Sequence, residues 1–269
     1  MKIDTIVTDM DGTLLNPQSE LSEYTLNVMA ECKRRGIRLI PASGRTRASL
    51  REYVEQLDTG MPYISGNGSE IVGADHEFIQ QLTLDVPLAK EICAAVIEQG
   101  FYVQVYDDNL FYYTAECEEA SRYKVSSRMH GKAVGDLCAF LHRPTPKVLC
   151  IHHPEMVEKY LPIMSERFKG RAAFTTSELT FLEAVPLGAT KGEALRRLAA
   201  LRGDIVPERT LVFGDSINDM TLIQFTPNSV AMGNAREKLK QAATYVCGTN
   251  AEDGEARFIA EHVLEGANA

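Results

Sequence analysis

The sequence predicts an α/β protein: a parallel sheet flanked by helices, with a second, mixed α+β block inserted into it. Three observations point there. In the first and last thirds, short apolar runs alternate with helical patterns, as in strand–helix–strand units whose sheet is covered on both faces. The middle, roughly Thr83 to Pro186, changes to a hairpin rhythm. Several strand ends carry clustered acidic and small polar residues, where ligands bind in parallel α/β sheets.

The elements follow in order. Ile3 to Thr8 reads as a strand that stops at a carboxylate cluster. Leu21, Thr25, Val28, Met29 and Cys32 fall at helical spacing, and Gly36 sits at the position of a helix C-cap. Ile37 to Ala42 is the next strand, and Thr46 to Leu57 a helix burying Leu50, Tyr53, Val54 and Leu57. Tyr63-Ile64-Ser65 leads into the turn Gly66-Asn67-Gly68. In the middle block, Pro87 to Gln99 is helical. Phe101 to Tyr106 and Leu110 to Tyr113 are strands joined by the hairpin signal Asp107-Asp108-Asn109. Lys147 to His152 is a strand and Pro154 to Phe168 a helix; Ala172 to Thr176 and Thr180 to Ala184 form a strand pair. The alternation then resumes. A helix spans Lys191 to Leu201, and strands follow at Thr210 to Phe213, Val230 to Met232 and Tyr245 to Cys247. A closing helix presents Ala256, Ile259, Ala260 and Val263. This rhythm divides the chain into 1–82 with 187–269 and an inserted 83–186.

Composition excludes several classes. The 269 residues are 45% hydrophobic and 24% charged, which suits a folded globular chain with a core of ordinary size. With 28 basic and 37 acidic residues, the net charge of -9 argues against a nucleic-acid partner, though not against a small phosphorylated one. No apolar run of about 18 residues predicts a membrane span, and Met1-Lys2-Ile3-Asp4 reads as the start of a strand and not as a signal peptide. Six cysteines without a C-x-x-C pair read as free thiols in a reducing cytoplasm. His152-His153 without H-E-x-x-H spacing gives no zinc site. The length leaves the oligomeric state open.

Four clusters could do chemistry. Asp9-Met10-Asp11-Gly12-Thr13 follows the first strand. Spaced two apart, Asp9 and Asp11 project to one side of an extended chain and repel unless a proton or cation intervenes; a turn with one Asp capping the backbone fits the pair equally well. Gly214-Asp215-Ser216-Ile217-Asn218-Asp219 follows another strand. A helix N-cap explains one of its acids, but not why a second strand end is also acidic. Together these ends offer oxygen ligands to a hard divalent cation, magnesium above all. Lys191 falls at a helix start, where a cation opposes the dipole unless an anion is near; alone it reads as a solvated surface lysine. Pro41-Ala42-Ser43-Gly44-Arg45-Thr46 is an anion cradle at a further strand end, or simply an N-cap at Ser43 or Thr46.

The order of these clusters (D-x-D-G-T, Ser-Gly-Arg, a lone Lys, then G-D-x-x-N-D) resembles the haloacid dehalogenase-like superfamily, in particular its Cof-type hydrolases of class IIB. The resemblance covers essentially the whole chain. Gly66-Asn67-Gly68, Met232-Gly233-Asn234-Ala235 and Asn250 with Glu252-Asp253-Gly254 add auxiliary matches. It implies a Rossmann-like core carrying an inserted α+β cap that reads the leaving group. It also implies a magnesium-dependent phosphatase acting on a small phosphorylated metabolite, such as a sugar phosphate, through an aspartyl-phosphate. Asp9 would be the nucleophile and a metal ligand. Asp11 would be the general acid/base, lending its backbone carbonyl to the metal. Met10 would give a backbone N–H to the phosphate. Ser43, Gly44, Lys191 and Asn218 would bind phosphate, Asp215 would ligate magnesium, and Asp219 would support the metal. The general-acid role further calls for a proton on Asp11, held there by acidic surroundings.

Two motif positions, Ser43 and Ser216, carry Ser where the family often has Thr and Asn, and Asp253-Gly254-Glu255 lacks the Val often found after that Gly. A phosphomutase or phosphotransferase shares every motif and differs in its acceptor. A non-catalytic phospho-accepting module is the remaining alternative. Among the cap residues, Tyr106, Arg122 and Lys124 could face the cleft, though each reads more simply as a surface residue. A dinucleotide site is disfavoured, because Gly66-Asn67-Gly68-Ser69-Glu70-Ile71 breaks G-x-G-x-x-G at its last position.

Overall fold

The structure, a computed structural model, describes residues 2–107 and 110–265. The proposed turn residues Asp108 and Asn109 lie outside the described residues. In chain order the elements begin with β1 (Thr5–Thr8), α1 (Glu23–Arg34), β2 (Arg38–Pro41), α2 (Arg47–Leu57), β3 (Tyr63–Ser65), β4 (Glu70–Val72) and β5 (Phe78–Gln81). The middle holds α3 (Val86–Ile97), β6 (Tyr102–Asp107), β7 (Leu110–Tyr113), α4 (Glu118–Ser127), β8 (His130–Ala133), α5 (Leu137–Phe140), β9 (Val148–Ile151), α6 (Pro154–Arg167), β10 (Ala172–Thr175) and β11 (Phe181–Pro186). The end holds α7 (Lys191–Arg202), β12 (Thr210–Gly214), α8 (Met220–Ile223), β13 (Asn228–Ala231), α9 (Glu237–Ala242), β14 (Tyr245–Val246) and α10 (Gly254–Ile259).

A five-stranded, all-parallel sheet runs in the order β14-β13-β12-β1-β2. Its central strands β1 and β12 are buried along their whole length, as near-continuous apolar runs require when helices cover both faces. Register sets the function of this sheet. Thr8 pairs with both Phe213 and Pro41, so β1, β12 and β2 end level with one another. The residues that follow, Asp9, Gly214-Asp215 and Ala42-Ser43, therefore leave the sheet side by side.

The middle segment builds a six-stranded sheet, β10-β11-β9-β6-β7-β8, antiparallel except for the β7–β8 pair. Its apolar core is separate: one cluster joins residues between Ile3 and Val72 to others between Ala194 and Leu264, while a second spans Leu84 to Ala184. A third small sheet, β3-β4-β5, stands beside the parallel one, with Ala42 bridging to Ile64.

Helix boundaries follow local chemistry. Ser22 caps α1, and Leu21 packs on the core from outside the helix. Thr46 accepts the N–H of Ser49 and caps α2, so the N-cap is Thr46 and not Ser43. Asp85 caps α3, with Pro87 in its first turn. The sequence pattern missed α4, α5, α9, β8 and the strands β4 and β5. α4 has only Ala120, Tyr123 and Ser127 on its buried side, too sparse a stripe to read as a period. Tyr106, expected at the surface, is buried, donating to the Tyr123 hydroxyl and accepting from Gln104. Arg122 and Lys124 are held by surface pairs to Glu118 and Glu116. All six cysteines are free, and among the described residues no helix is long and apolar enough to cross a membrane.

Candidate active site

The chain leaves β1 at Asp9 and turns at once. Gly12 adopts φ +76°, and a Cβ there would stand 2.5 Å from an Asp215 carboxylate oxygen, so both the turn and the close approach of the two loops require glycine. Gly214 has the same relation to Asp219, whose Cβ lies 2.5 Å from the position a side chain would take. The loops are thus pressed together until their acids meet. One carboxylate oxygen from each of Asp9, Asp215 and Asp219 lies within 4.8 Å of the other two.

Lys191 fills the base of this cluster. Its ammonium donates to Asp9 at 2.5 Å and to Asp219 at 2.6 Å, and its side chain is 0% exposed. The surface-lysine alternative is therefore overturned: the anions that relieve the dipole cost at this helix start are two buried carboxylates. Burial works against the Lys191 charge, but Asp219 and Asp9 outweigh it and hold the proton on. Three carboxylates against one ammonium leave surplus negative charge. Burial first, then Asp219, push the Asp9 carboxyl well above its usual range, and the same two causes push Asp215 up to about 7.

The three acids differ in what they have left to offer. Asp219 uses one oxygen on Lys191 and the other on the backbone N–H groups of Asp215 and Ser216, both at 3.0 Å. Both its oxygens are engaged, which makes it a brace. Asp215 accepts from Thr13 Oγ1 at 3.2 Å, and Asp9 has an oxygen beyond the one on Lys191. A donor set of hard oxygens with unbalanced charge fits a divalent cation of the magnesium class.

Asp11 departs from expectation. It does not crowd Asp9; the crowding comes from Asp215 and Asp219. Its carboxylate is gripped in a two-point pair by Arg45, at 2.7 and 2.8 Å. The chain at Asp11 is no longer a strand but part of the turn over Met10–Leu14, so alternation does not put the two side chains together. Its ion-pair partner is a cation, Arg45, and the acid that feels its charge is Glu178.

Around these acids lies a network of polar side chains. Ser43 Oγ accepts the Arg45 N–H at 3.1 Å. Asn218 donates to Asn67 Oδ1 at 2.8 Å, while its own Oδ1 is buried without a partner among the described residues. Asn67 donates to Glu183 at 2.7 Å, and Lys147 bridges Glu183 at 2.6 Å and the Gly44 carbonyl at 2.8 Å. The auxiliary motifs brace the same turn: Asn234 donates to the Gly12 carbonyl, and Asn250 to that of Leu15.

A cavity of about 90 Å³ sits between the parallel sheet's edge and the middle segment, lined by Asp9, Asp11, Ser43, Arg45 and Asn218 below and Tyr123, Lys147, Glu178 and Phe181 above. Desolvation at this cleft, then the Asp11 charge, push Glu178 up to about 7. An adjoining cavity of about 560 Å³ shares Tyr123, Ser126, Glu178 and Phe181. Sequence reasoning missed Lys147, Glu178 and Glu183. The legible signal was Glu183, a charge set among Leu182, Ala184 and Val185 in an otherwise apolar strand.

Comparison with known proteins shows the family. A family model described as haloacid dehalogenase-like hydrolase matches residues 6–259. An HMP-PP phosphatase of Citrobacter koseri is 28% identical, over 86% of this chain and 84% of its own. A 5-amino-6-(5-phospho-D-ribitylamino)uracil phosphatase of Bacillus subtilis is 26% identical, over 98% and 99%. Among solved structures, a haloacid dehalogenase-like hydrolase from Bacteroides thetaiotaomicron superposes with a TM-score of 0.85 at 28% identity, covering 96% of this chain and 98% of that one. The match spans nearly the whole chain, and the protein belongs to the haloacid dehalogenase-like hydrolases as an enzyme of their phosphatase kind.

Proposed function

We propose that the chain is a magnesium-dependent phosphatase that hydrolyses a small phosphorylated metabolite, sugar phosphates included, through an aspartyl-phosphate on Asp9. Residues 1–82 and 187–269 form the catalytic core in this reading, and 83–186 the cap. The observation that carries it is the surplus of buried negative charge: three carboxylates converge on one ammonium, and Asp9 keeps an oxygen that Lys191 does not engage.

Asp9, Asp215 and the Asp11 backbone carbonyl would hold the ion, with Asp219 steadying Lys191 and the Asp215 loop. Bound there, magnesium supplies charge neutralisation for the transferring oxygens. Lys191, Asn218, Ser43 and the backbone N–H groups of Met10 and Gly44 would bind the phosphoryl oxygens. The Asp9 oxygen attacks phosphorus, the bond to the leaving oxygen breaks, and that oxygen takes a proton from Asp11. Water then attacks the phosphoryl group, Asp11 recovers a proton, and Asp9 is restored as inorganic phosphate leaves. The Arg45 pair suits the carboxylate form of Asp11 that accepts this proton; the acid step requires the pair to open. The adjoining cavity gives the leaving group room on the cap side.

Asp9→Asn in the full chain, assayed for phosphate release from an aryl phosphate with magnesium, is expected to lose activity by about 10³-fold or more. Wild-type rates in that variant would overturn the assignment.

A further inference from the structure

Glu255 lies on α10, behind the nucleophile's strand, and is 2% exposed. One of its oxygens is 2.7 Å from the Thr8 hydroxyl, and the other has no partner among the described residues. The same Thr8 oxygen is 2.7 Å from the backbone carbonyl of Asp9. A hydroxyl carries one hydrogen. Two acceptor oxygens at this distance need two, so the second must come from the Glu255 carboxyl. No cation among the described residues pairs with Glu255, and burial pushes it up to about 8, against the opposing bond from Thr8.

The neighbouring titratable groups do not supply that hydrogen. Cys32 on α1 and Cys247 beyond β14 are the thiols that feel the Glu255 charge, and burial pushes both up to about 12. Glu31 on α1 pairs with Arg34 and with Arg35 at the end of that helix. Asp11, in the turn packed on α10, is held by Arg45. Asp253 accepts from the Ser22 and Thr25 hydroxyls, Glu252 from Thr249, and Arg257 donates to the Glu252 carbonyl. Past α10, Glu261 and His262 stand next to each other.

We propose that Glu255 is a positioning residue held as the neutral acid: its carboxyl donates to Thr8 Oγ1, freeing the Thr8 hydrogen for the Asp9 carbonyl. The consequence follows from peptide planarity. The Asp9 carbonyl and the Met10 N–H belong to one rigid trans unit and point opposite ways. Pinning the carbonyl therefore aims the N–H that, in the function proposed above, on which this inference rests, meets the phosphate. Ionised Glu255 would draw the Thr8 hydrogen to itself, leaving the carbonyl only the Leu14 N–H at 3.4 Å.

The test uses full-length wild type, Glu255→Gln and Thr8→Val, with aryl phosphate and magnesium from neutral to alkaline pH. Wild-type kcat is expected to fall as pH passes about 8, while E255Q, whose amide donates at every pH, keeps its rate. T8V is expected to lose about tenfold in kcat at neutral pH, the worth of one oriented hydrogen bond. Superimposable wild-type and E255Q profiles, or a T8V variant at wild-type kcat, would overturn the proposal. The infrared spectrum of the metal-free chain separates the two claims. A protonated-carboxyl band in the wild-type minus E255Q difference spectrum at neutral pH supports neutral Glu255 even if no phosphatase activity is found; a difference spectrum without that band refutes neutral Glu255 even if the enzyme is active.

Discussion

Two buried lysines stand at the site, Lys147 in the lining of the cleft and Lys191 beneath the acids, and their surroundings differ in one respect. Lys147, 3% exposed, meets a single acid, Glu183, and that carboxylate is completed by neutral donors from Asn67 and Ser177. Lys191, 0% exposed, meets two acids and has a third beside them. Around Lys147 the charges cancel, and the pair ties β11 to the turn after β2 through the Gly44 carbonyl. Around Lys191 they do not cancel. A balanced pair is a fastener; an unbalanced cluster holds free energy that a proton or a cation can release.

The sharpest break of this contrast is Lys147→Met. It strands Glu183 in the interior and is expected to cost about 3–5 kcal/mol, read by denaturant unfolding. Neutralising one acid beside each lysine should then give opposite signs. Glu183→Gln removes the charge-assisted bond to Lys147 and is expected to destabilise by about 2 kcal/mol. Asp215→Asn removes surplus charge and is expected to stabilise the metal-free chain at neutral pH by about 1 kcal/mol. Like signs for the two would erase the distinction.

The remaining prediction is a pH slope. The Asp215 carboxyl sits at about 7 in the folded chain, against 3.8 as its ordinary value. Between those limits the folded chain keeps a proton that the unfolded chain has released. Metal-free stability therefore falls as pH rises through this window, by about 1.4 kcal/mol per unit for one proton. Thermal unfolding of D215N over the same window should lose that slope.

Much of this was legible in the sequence. The alternation of apolar strand and helix over β1 to α2, and again over α7 to β13, is enough to predict a parallel sheet, because strands buried on both faces cannot hide their composition. The acids at the ends of β1 and β12 are short-range signals at places where such sheets bind ligands. What the pattern could not carry was direction. Asp9 and Asp11 look alike in sequence, yet the turn at Gly12 sends one to Lys191 and the other to Arg45. Taken alone, Lys191 reads as a surface residue, because nothing local reports that Asp219, 28 positions on, meets it in the interior; only its place in the order of the motifs marks it as a site residue. Lys147 and Glu183 are 36 apart, and their pairing exists only once β9 and β11 are adjacent.

The central claim is that the unbalanced cluster is a seat for a divalent ion, and thermal unfolding of the full chain over a magnesium titration tests it most directly. A site that binds only in the folded state adds about 2.7 kcal/mol at 100 times its Kd. Wild type should therefore unfold at steadily higher temperature as magnesium rises, while Asp215→Asn stays flat. An equal rise in both chains, or no rise in wild type, would contradict the claim.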